Sequence, residues 1–314
     1  MPDLVQITPH VPATDDAKPH VRRLPEWLTI RLPKRQPVSD VENLMRSERL
    51  VTVCEEARCP NLWECWSRKS ATFMIMGDTC TRSCRFCAVK TGRGGPLDPD
   101  EPRRVAEAAK TLGLRHTVVT SVNRDELPDG GAHHFAETIR NLREMLPDSI
   151  IEVLTPDFLG KTEALDVVVA AKPHIFNHNI ETVPRLYTQV RPQAKYPRSL
   201  QVLKYVKEAD PTIYTKSGFM VGLSETKDEV VALLRDLREW KVDAITIGQY
   251  LKPGKGYLDV VEYVHPDMFA EYKAIAMEIG FTFVASGPFV RSSHNAIELS
   301  EAVGLLPPPV AVPA

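Results

Sequence analysis

Six cysteines, the whole complement of this 314-residue chain, fall into two groups of three. Cys54, Cys59 and Cys65 lie in VCEEARCPNLWECW, and Cys80, Cys84 and Cys87 lie in DTCTRSCRFCAV. Three thiolates brought together cover one face of a metal centre and leave a position open. Iron–sulfur cubanes are normally held by four cysteine thiolates, so a triplet implies an iron that takes something else as its fourth ligand. Two triplets of different spacing predict two clusters, each with one unusual iron where chemistry can occur.

Other thiol chemistry fits less well. Disulfide frameworks belong to small secreted domains short of core, whereas a chain of this length with 43% hydrophobic residues can bury a large core unaided. Structural zinc usually shows paired CxxC half-sites or nearby histidines that complete four ligands. Both groups here are triplets, and no histidine falls between residues 54 and 87.

The CxxxCxxC spacing of Cys80, Cys84 and Cys87, with Phe86 directly before the last cysteine, resembles the signature of radical S-adenosylmethionine enzymes. That resemblance implies a free iron that chelates the amino and carboxylate groups of the cofactor's methionyl part. An electron from the reduced cluster then cleaves the sulfonium to methionine and a 5'-deoxyadenosyl radical. Such chemistry belongs to the cofactor, while the protein supplies orientation and excludes side reactions. The first triplet, CxxxxCxxxxxC, resembles the auxiliary-cluster motif of lipoyl synthases, and GPFVRSSHNA resembles that family's RSSY segment. RDELPDGG, HNIETVPRLY, VRPQAKYPRSL, TKSGFMVGLSET and TIGQYLKP continue the likeness over roughly residues 25 to 300.

By this resemblance Ser293, the second serine of RSS, is the fourth ligand of an auxiliary 4Fe-4S cluster on Cys54, Cys59 and Cys65. A displaceable oxygen ligand suits a cluster meant to come apart. The implied reaction inserts two sulfur atoms at C6 and C8 of an octanoyl chain carried on a lysine of a lipoyl carrier domain. Two 4Fe-4S clusters take part, two S-adenosylmethionine molecules are used per lipoyl group, and the auxiliary cluster is the sacrificial sulfur donor. Implied partners are octanoylated carriers (2-oxoacid dehydrogenase E2 subunits and the glycine cleavage H protein), a reductant such as ferredoxin or flavodoxin, and iron–sulfur assembly proteins. A methylthiotransferase or biotin synthase relative would share the second triplet but lack the first paired with RSS. A non-enzymatic iron–sulfur sensor would leave the repeating pattern described below unexplained. One position departs from the family: His294 stands where it has tyrosine. An imidazole is a competent iron ligand that titrates near neutral pH, but it can equally be a packing side chain.

Such sites need a scaffold. Short apolar runs at 71–77, 116–122, 149–156, 173–180, 217–223 and 243–250 read as buried strands. Segments with helical spacing, EPRRVAEAAKTLG, AHHFAETIRNLREML, SLQVLKYVKEA and TKDEVVALLRDLREW, sit between them. This alternation builds a parallel sheet, and six units make a partial (β/α)6 TIM-type barrel of the α/β class. The radical enzymes that the chain resembles share this fold. The expected organisation is an N-terminal extension wrapping the barrel (1–50), an auxiliary-cluster segment (51–70), the barrel (71–285), and a C-terminal segment (286–314) with the RSS motif and an extended or disordered tail.

Barrel active sites lie at the carboxyl ends of the strands. The second triplet directly follows the first strand, which puts it at that face. Asp125 or Glu126, after the second strand, is a candidate contact to the cofactor's ammonium, with a solvated turn as the alternative. Glu152 lies inside an apolar strand, where an ionised group is expensive unless paired, so it is either a cofactor contact or half of an ion pair. His178 and Asn179 end the fourth strand as candidate positioning residues, and Lys216 and Gln249 occupy comparable places. Arg22, Arg23, Arg31, Lys34 and Arg35, together with Arg185, Arg191, Lys195 and Arg198, are candidates to receive an acidic carrier domain.

The net charge of −2 gives no support for wholesale nucleic-acid binding. The first twenty residues resemble neither a signal nor a transit peptide, and no long apolar run follows. The expectation is a cytoplasmic protein without membrane or nucleic-acid partners.

Overall fold

The computed structural model describes residues 24–29 and 35–307. Its main sheet has eight strands in the order β1 (Val51–Thr52), β2 (Thr72–Ile75), β5 (His116–Ser121), β6 (Ile150–Leu154), β7 (Ile175–Asn177), β8 (Tyr214–Val221), β9 (Ala244–Gln249) and β10 (Phe283–Gly287). All neighbours pair in parallel except β1, which runs antiparallel to β2. The six expected strands are present, and β10 extends the sheet beyond six units. A separate two-stranded ribbon, β3 (Thr79–Cys80) with β4 (Lys90–Thr91), brackets the second cysteine group.

Helices α1 (Arg35–Ser47), α2 (Val53–Glu56) and α3 (Leu62–Ser67) precede β2. Next come α4 (Glu101–Leu112), α5 (Ala132–Met145), α6 (Thr162–Ala170), α7 (Tyr187–Val190), α8 (Tyr196–Ala209), α9 (Lys227–Glu239), α10 (Pro266–Ile279) and α11 (Ala296–Ala302). Helix α9 shows why these segments are helical. Thr226 caps it by accepting from the Glu229 N–H, while the Glu229 carboxylate accepts from the Thr226 N–H. Val230, Leu233, Leu234 and Leu237 then recur at helical spacing and are all fully buried. Each such side chain contributes about 1.5–3 kcal/mol on burial.

Strand register sorts residues into an outer and an inner face. Phe73, Val119, Val153 and Phe176 are lateral neighbours, all without exposed surface, and belong to the core that packs against α4, α5 and α6. On the other face Met74, Thr120, Leu154, Asn177 and Lys216 form the adjacent row, directed to the barrel interior. Glu152 precedes Leu154 by two residues and therefore lies on the same face, one layer deeper.

Candidate active site

Above the carboxyl ends of the strands lies a cavity of about 550 Å³ lined by all six cysteines, Phe86, Ser292, Ser293 and His294. Both triplets and the distant RSS segment thus face one cavity. Among the described residues, no three His, Cys, Asp or Glu side chains are close enough to enclose a single metal ion.

The second triplet is held by backbone. Cys80 ends β3, and its carbonyl accepts from Gly92 N–H at 2.9 Å. Its sulfur accepts from the N–H groups of Asn123 at 3.3 Å and Arg82 at 3.5 Å. The loop is tied to its surroundings by Thr81 N–H to the Asn123 carbonyl (3.0 Å) and Arg85 N–H to the Val190 carbonyl (3.0 Å). Burial pushes the Cys84 thiol up, and the Arg191 guanidinium beside it opposes that. Burial, with neighbouring Cys84 and Cys80, pushes Cys87 up to about 12.

The first triplet is carried by α2, a turn, and α3. Cys59 N–H donates to the Cys54 carbonyl (2.9 Å), and Arg58 adopts a left-handed φ of 51° in the turn between them. Burial and the adjacent Cys59 push Cys54 up to about 11, and burial with Cys54 and Cys59 pushes Cys65 up to about 12. The C-terminal segment is stitched onto this loop. Asn61 Nδ2 donates to the Phe289 carbonyl at 2.6 Å, Arg68 Nη1 to Asn295 Oδ1 at 3.3 Å, and His294 Nε2 stands 3.8 Å from Glu64. These contacts bring Ser293 to the cavity from across the sequence. The Ser292 hydroxyl accepts from Asn179 Nδ2 at 2.6 Å, whereas the Ser293 hydroxyl makes no hydrogen bond among the described residues. Burial lowers the His294 imidazole's affinity for a proton, and its Nε2 is buried without a hydrogen-bond partner.

Between the triplets, Ser121 Oγ, Asn123 Oδ1, Thr155 Oγ1 and Asn179 Oδ1 line the cavity, buried and unpaired. Orphaned polar atoms at the ends of β5, β6 and β7 are costly in an empty site and suit a polar ligand. Donor set and cavity together fit iron–sulfur ligation and a nucleoside cofactor.

The structure separates the acidic candidates from this cavity. Asp125 is gripped by Arg82 through Nε (2.7 Å) and Nη2 (2.8 Å), and Arg82 also reaches Asp157 at 2.6 Å. Glu126 takes Arg124 Nε at 2.6 Å, while Arg124 holds the carbonyls of Met76 (3.0 Å) and Gly95 (2.6 Å). Glu152 is fully buried and bonded to Lys216 (2.8 Å), His116 (3.1 Å) and Asn177 (3.1 Å), so it is half of an ion pair beneath the cavity. None of these three carboxylates lines the cavity. His178 and Asn179 do line it, but His178 is committed on both nitrogens, to the Thr155 carbonyl (2.9 Å) and Ser199 Oγ (3.0 Å). Gln249 also lines the cavity and braces the following loop through the Glu262 carbonyl (2.9 Å) and the Val264 N–H (2.8 Å).

The basic groups also divide. Arg185 is paired with Glu229 at 2.6 Å, Arg198 stands 3.3 Å from Asp157, Arg191 is buried, and Lys195 is exposed. Arg22, Arg23, Arg31 and Lys34 lie outside the described residues, as does the side chain of Arg35. Glu181, absent from the candidates above, lines the cavity and accepts from Asn179 Nδ2 at 3.2 Å. Burial raises its carboxyl pKa. Its signal in sequence was its place two residues past Asn179, just beyond the end of the fourth strand.

A parallel strand–helix sheet with CxxxCxxC at the end of its first parallel strand defines a radical S-adenosylmethionine enzyme. The Radical SAM superfamily model matches residues 74–237. The N-terminal domain of lipoyl synthase of the radical SAM family matches residues 12–59. The lipoyl synthase of Rubrobacter xylanophilus is 56% identical over 294 residues, covering 94% of this chain and 91% of the relative. That of Caldanaerobacter subterraneus subsp. tengcongensis is 57% identical over 274 residues, covering 87% and 96%. The chain belongs to the lipoyl synthase family. It is a sulfurtransferase that uses radical S-adenosylmethionine chemistry to insert two sulfur atoms into the octanoyl chain of a lipoyl carrier protein. Among solved structures, methylornithine synthase gives a TM-score of 0.52 at 13% identity, covering 82% of this chain and 84% of that one. Streptococcus suis SuiB bound to S-adenosylmethionine gives 0.55 at 12%, covering 72% and 54%. At such identity these two show the fold alone. No helix among the described residues is long and apolar enough to cross a membrane.

Proposed function

We propose that the two triplets hold two 4Fe-4S clusters of opposite purpose within one cavity. Cys80, Cys84 and Cys87 hold the cluster that binds S-adenosylmethionine; Cys54, Cys59, Cys65 and Ser293 hold an auxiliary cluster that is spent as the sulfur donor for C6 and C8. The observation that carries this reading is the shared cavity, which both triplets and Ser293 line. When bound, cluster and cofactor together supply a radical able to remove hydrogen from an unactivated carbon.

The chain's own residues orient and exclude. Phe86 packs against the apolar core beneath the second triplet and closes one wall. Ser121, Asn123, Thr155 and Asn179 present unpaired polar atoms to a cofactor, with Glu181 behind Asn179. Among the described residues the Ser293 hydroxyl makes no hydrogen bond, while Ser292 accepts from Asn179, which favours Ser293 as the oxygen ligand. Val53, Ala57, Met74, Leu251 and Val290 give the cavity an apolar wall suited to an alkyl chain. Thiols at about 11 and 12 are protonated at neutral pH, so loading releases protons to solvent.

Arg58 and Lys252 are basic groups on the cavity lining, Lys252 being paired with the exposed Asp259 at 2.6 Å. They support docking of an acidic carrier such as an E2 domain or the H protein, with ferredoxin or flavodoxin as reductant and assembly proteins supplying clusters. The four-part division at residues 50, 70 and 285 and a cytoplasmic location belong to the same proposal.

The test is anaerobic incubation of reconstituted enzyme with an octanoyl-lysyl peptide, S-adenosylmethionine and a reductant, read by mass spectrometry. Two sulfur atoms are expected on the peptide. Cys54→Ala should abolish their addition while methionine and 5'-deoxyadenosine still form. Sulfur addition at full yield in Cys54→Ala would refute the assignment of the auxiliary cluster.

A further inference from the structure

Asn179 and Ser292 meet where the two halves of the site touch. Asn179 Nδ2 donates to Ser292 Oγ at 2.6 Å and to Glu181 Oε1 at 3.2 Å, while its Oδ1 is buried without a partner. Its backbone is fixed by Arg191 Nη1, which donates to the Asn179 carbonyl at 2.8 Å. The contact forms over bare backbone. A Cβ on Gly218 would stand 2.4 Å from Thr246 Oγ1, 3.0 Å from Asn179 Oδ1 and 3.1 Å from Ser292 Oγ. Asn179 follows β7 on the cofactor side; Ser292 is one peptide bond from Ser293.

We propose that this hydrogen bond is a joint coupling cofactor occupancy to the position of Ser293, an inference that rests on the cluster and cofactor assignments above. A buried acceptor left unpaired is costly, so Asn179 Oδ1 takes up a donor when one enters. A hydroxyl or ammonium of a bound nucleoside cofactor is such a donor. Donation to Oδ1 stops the amide rotating and polarises it, which strengthens donation from its Nδ2 to Ser292. The RSS segment is already held from the other side by Asn61 and Arg68, so tightening at Ser292 fixes the Ser293 hydroxyl between them. Linkage makes the effect reciprocal: an ordered RSS segment favours cofactor binding by the same factor. Ser292 and Asn179 are in this respect positioning residues for the oxygen ligand.

The test uses the full chain with Cys54→Ala, Cys59→Ala and Cys65→Ala, loaded with the remaining cluster, so that auxiliary ligation cannot order the segment. Hydrogen exchange over residues 288–295 is followed by mass spectrometry with and without S-adenosylmethionine, in this protein and after adding Ser292→Ala. S-adenosylmethionine should slow exchange by roughly fivefold or more when Ser292 is present and leave it unchanged in Ser292→Ala. Ser292→Thr, which keeps the hydroxyl, should restore the protection. Equal slowing with and without Ser292 overturns the coupling alone. Failure of the parent to bind S-adenosylmethionine overturns the proposed cofactor site, and the coupling with it. If the triple variant does not fold, Cys54→Ala alone, loaded with the cluster on Cys80, Cys84 and Cys87, is compared with and without Ser292→Ala in the same way.

Discussion

Lys216 Nζ stands 2.8 Å from Glu152 Oε1 and 3.1 Å from Oε2 in the barrel interior, where the two side chains are 2% and 0% exposed. Removing one member of a buried pair strands the other charge, at a cost of about 3–5 kcal/mol. Lys216→Met and Glu152→Gln should each lower unfolding stability by about that much in urea titrations, and Glu152→Gln combined with Lys216→Met, which keeps an acceptor for His116 and Asn177, should cost less than the two single losses summed. A single-variant loss near zero would mean that the pair is not formed in solution.

The same pair sets an acid limit. Burial pushes the Glu152 carboxyl up, but the charge of Lys216 and the contact with His116 outweigh it and hold the pKa down to about 2. A carboxylate depressed on folding contributes stability that is complete above its unfolded value of about 4.3 and is lost as pH falls below it. Acid titration of the metal-free chain should therefore show a loss starting below about pH 4 that is weaker in Glu152→Gln.

His178 acts in a separate window. Burial, with Arg191 nearby, pushes its pKa down to about 4. The Thr155 carbonyl can only accept, so Nδ1 carries the proton and Nε2 accepts from Ser199. The unfolded imidazole binds a proton near pH 6.5 while the folded one does not. Stability is thus complete above about 6.5 and declines by up to roughly 3 kcal/mol as pH falls towards 4. His178→Gln should remove that slope in unfolding measurements from pH 7 to 4, and an unaltered slope would assign it elsewhere.

The chemistry was more legible in the sequence than its supports. Cysteines announce themselves by type and spacing, and the apolar runs at β2, β5, β6, β7, β8 and β9 are continuous because both faces of a parallel strand are covered. Strand β10, FVASG, ends in three small residues out of five, and β1 is two residues long, so neither carries a periodic signal. Glu152 could be read as costly but not as paired, because Lys216 lies 64 residues away. Asp125 could not be read as paired because Arg82 lies 43 residues before it in a loop whose approach only the fold creates, whereas the partner of Glu126 is Arg124, two residues away. The place of Arg82 between Cys80 and Cys84 was the available hint for Asp125.

The Arg82 grip makes a prediction about Asp125. Its carboxylate takes both Nε and Nη2 of Arg82, whose side chain is 2% exposed. Asp125→Asn should lower stability and leave the affinity for S-adenosylmethionine unchanged in equilibrium binding. Arg82→Met, which leaves the fully buried Asp157 with the Leu159 N–H and Arg198 at 3.3 Å, should cost more than Asp125→Asn. A large loss of affinity in Asp125→Asn at unchanged stability would return Asp125 to the cofactor contacts.

Gly248 supports the RSS segment in a way that composition could not reveal. A Cβ there would stand 2.2 Å from the Val290 carbonyl oxygen and 3.1 Å from Arg291 Nη1. The first of these is backbone and cannot rotate aside, so the segment carrying Ser293 would have to move. Overpacking of this kind costs about 1–3 kcal/mol, and here it is concentrated on a proposed ligand. Gly248→Ala should lose iron and sulfide from the auxiliary site while the cluster on Cys80, Cys84 and Cys87 is retained. Iron analysis and electron paramagnetic resonance of the reconstituted protein separate the two. Gly95→Ala, where a Cβ meets nothing within 4 Å, is the control and should load normally. Full auxiliary loading in Gly248→Ala would show that the segment is not seated against this strand, and the position assigned to Ser293 would fall with it.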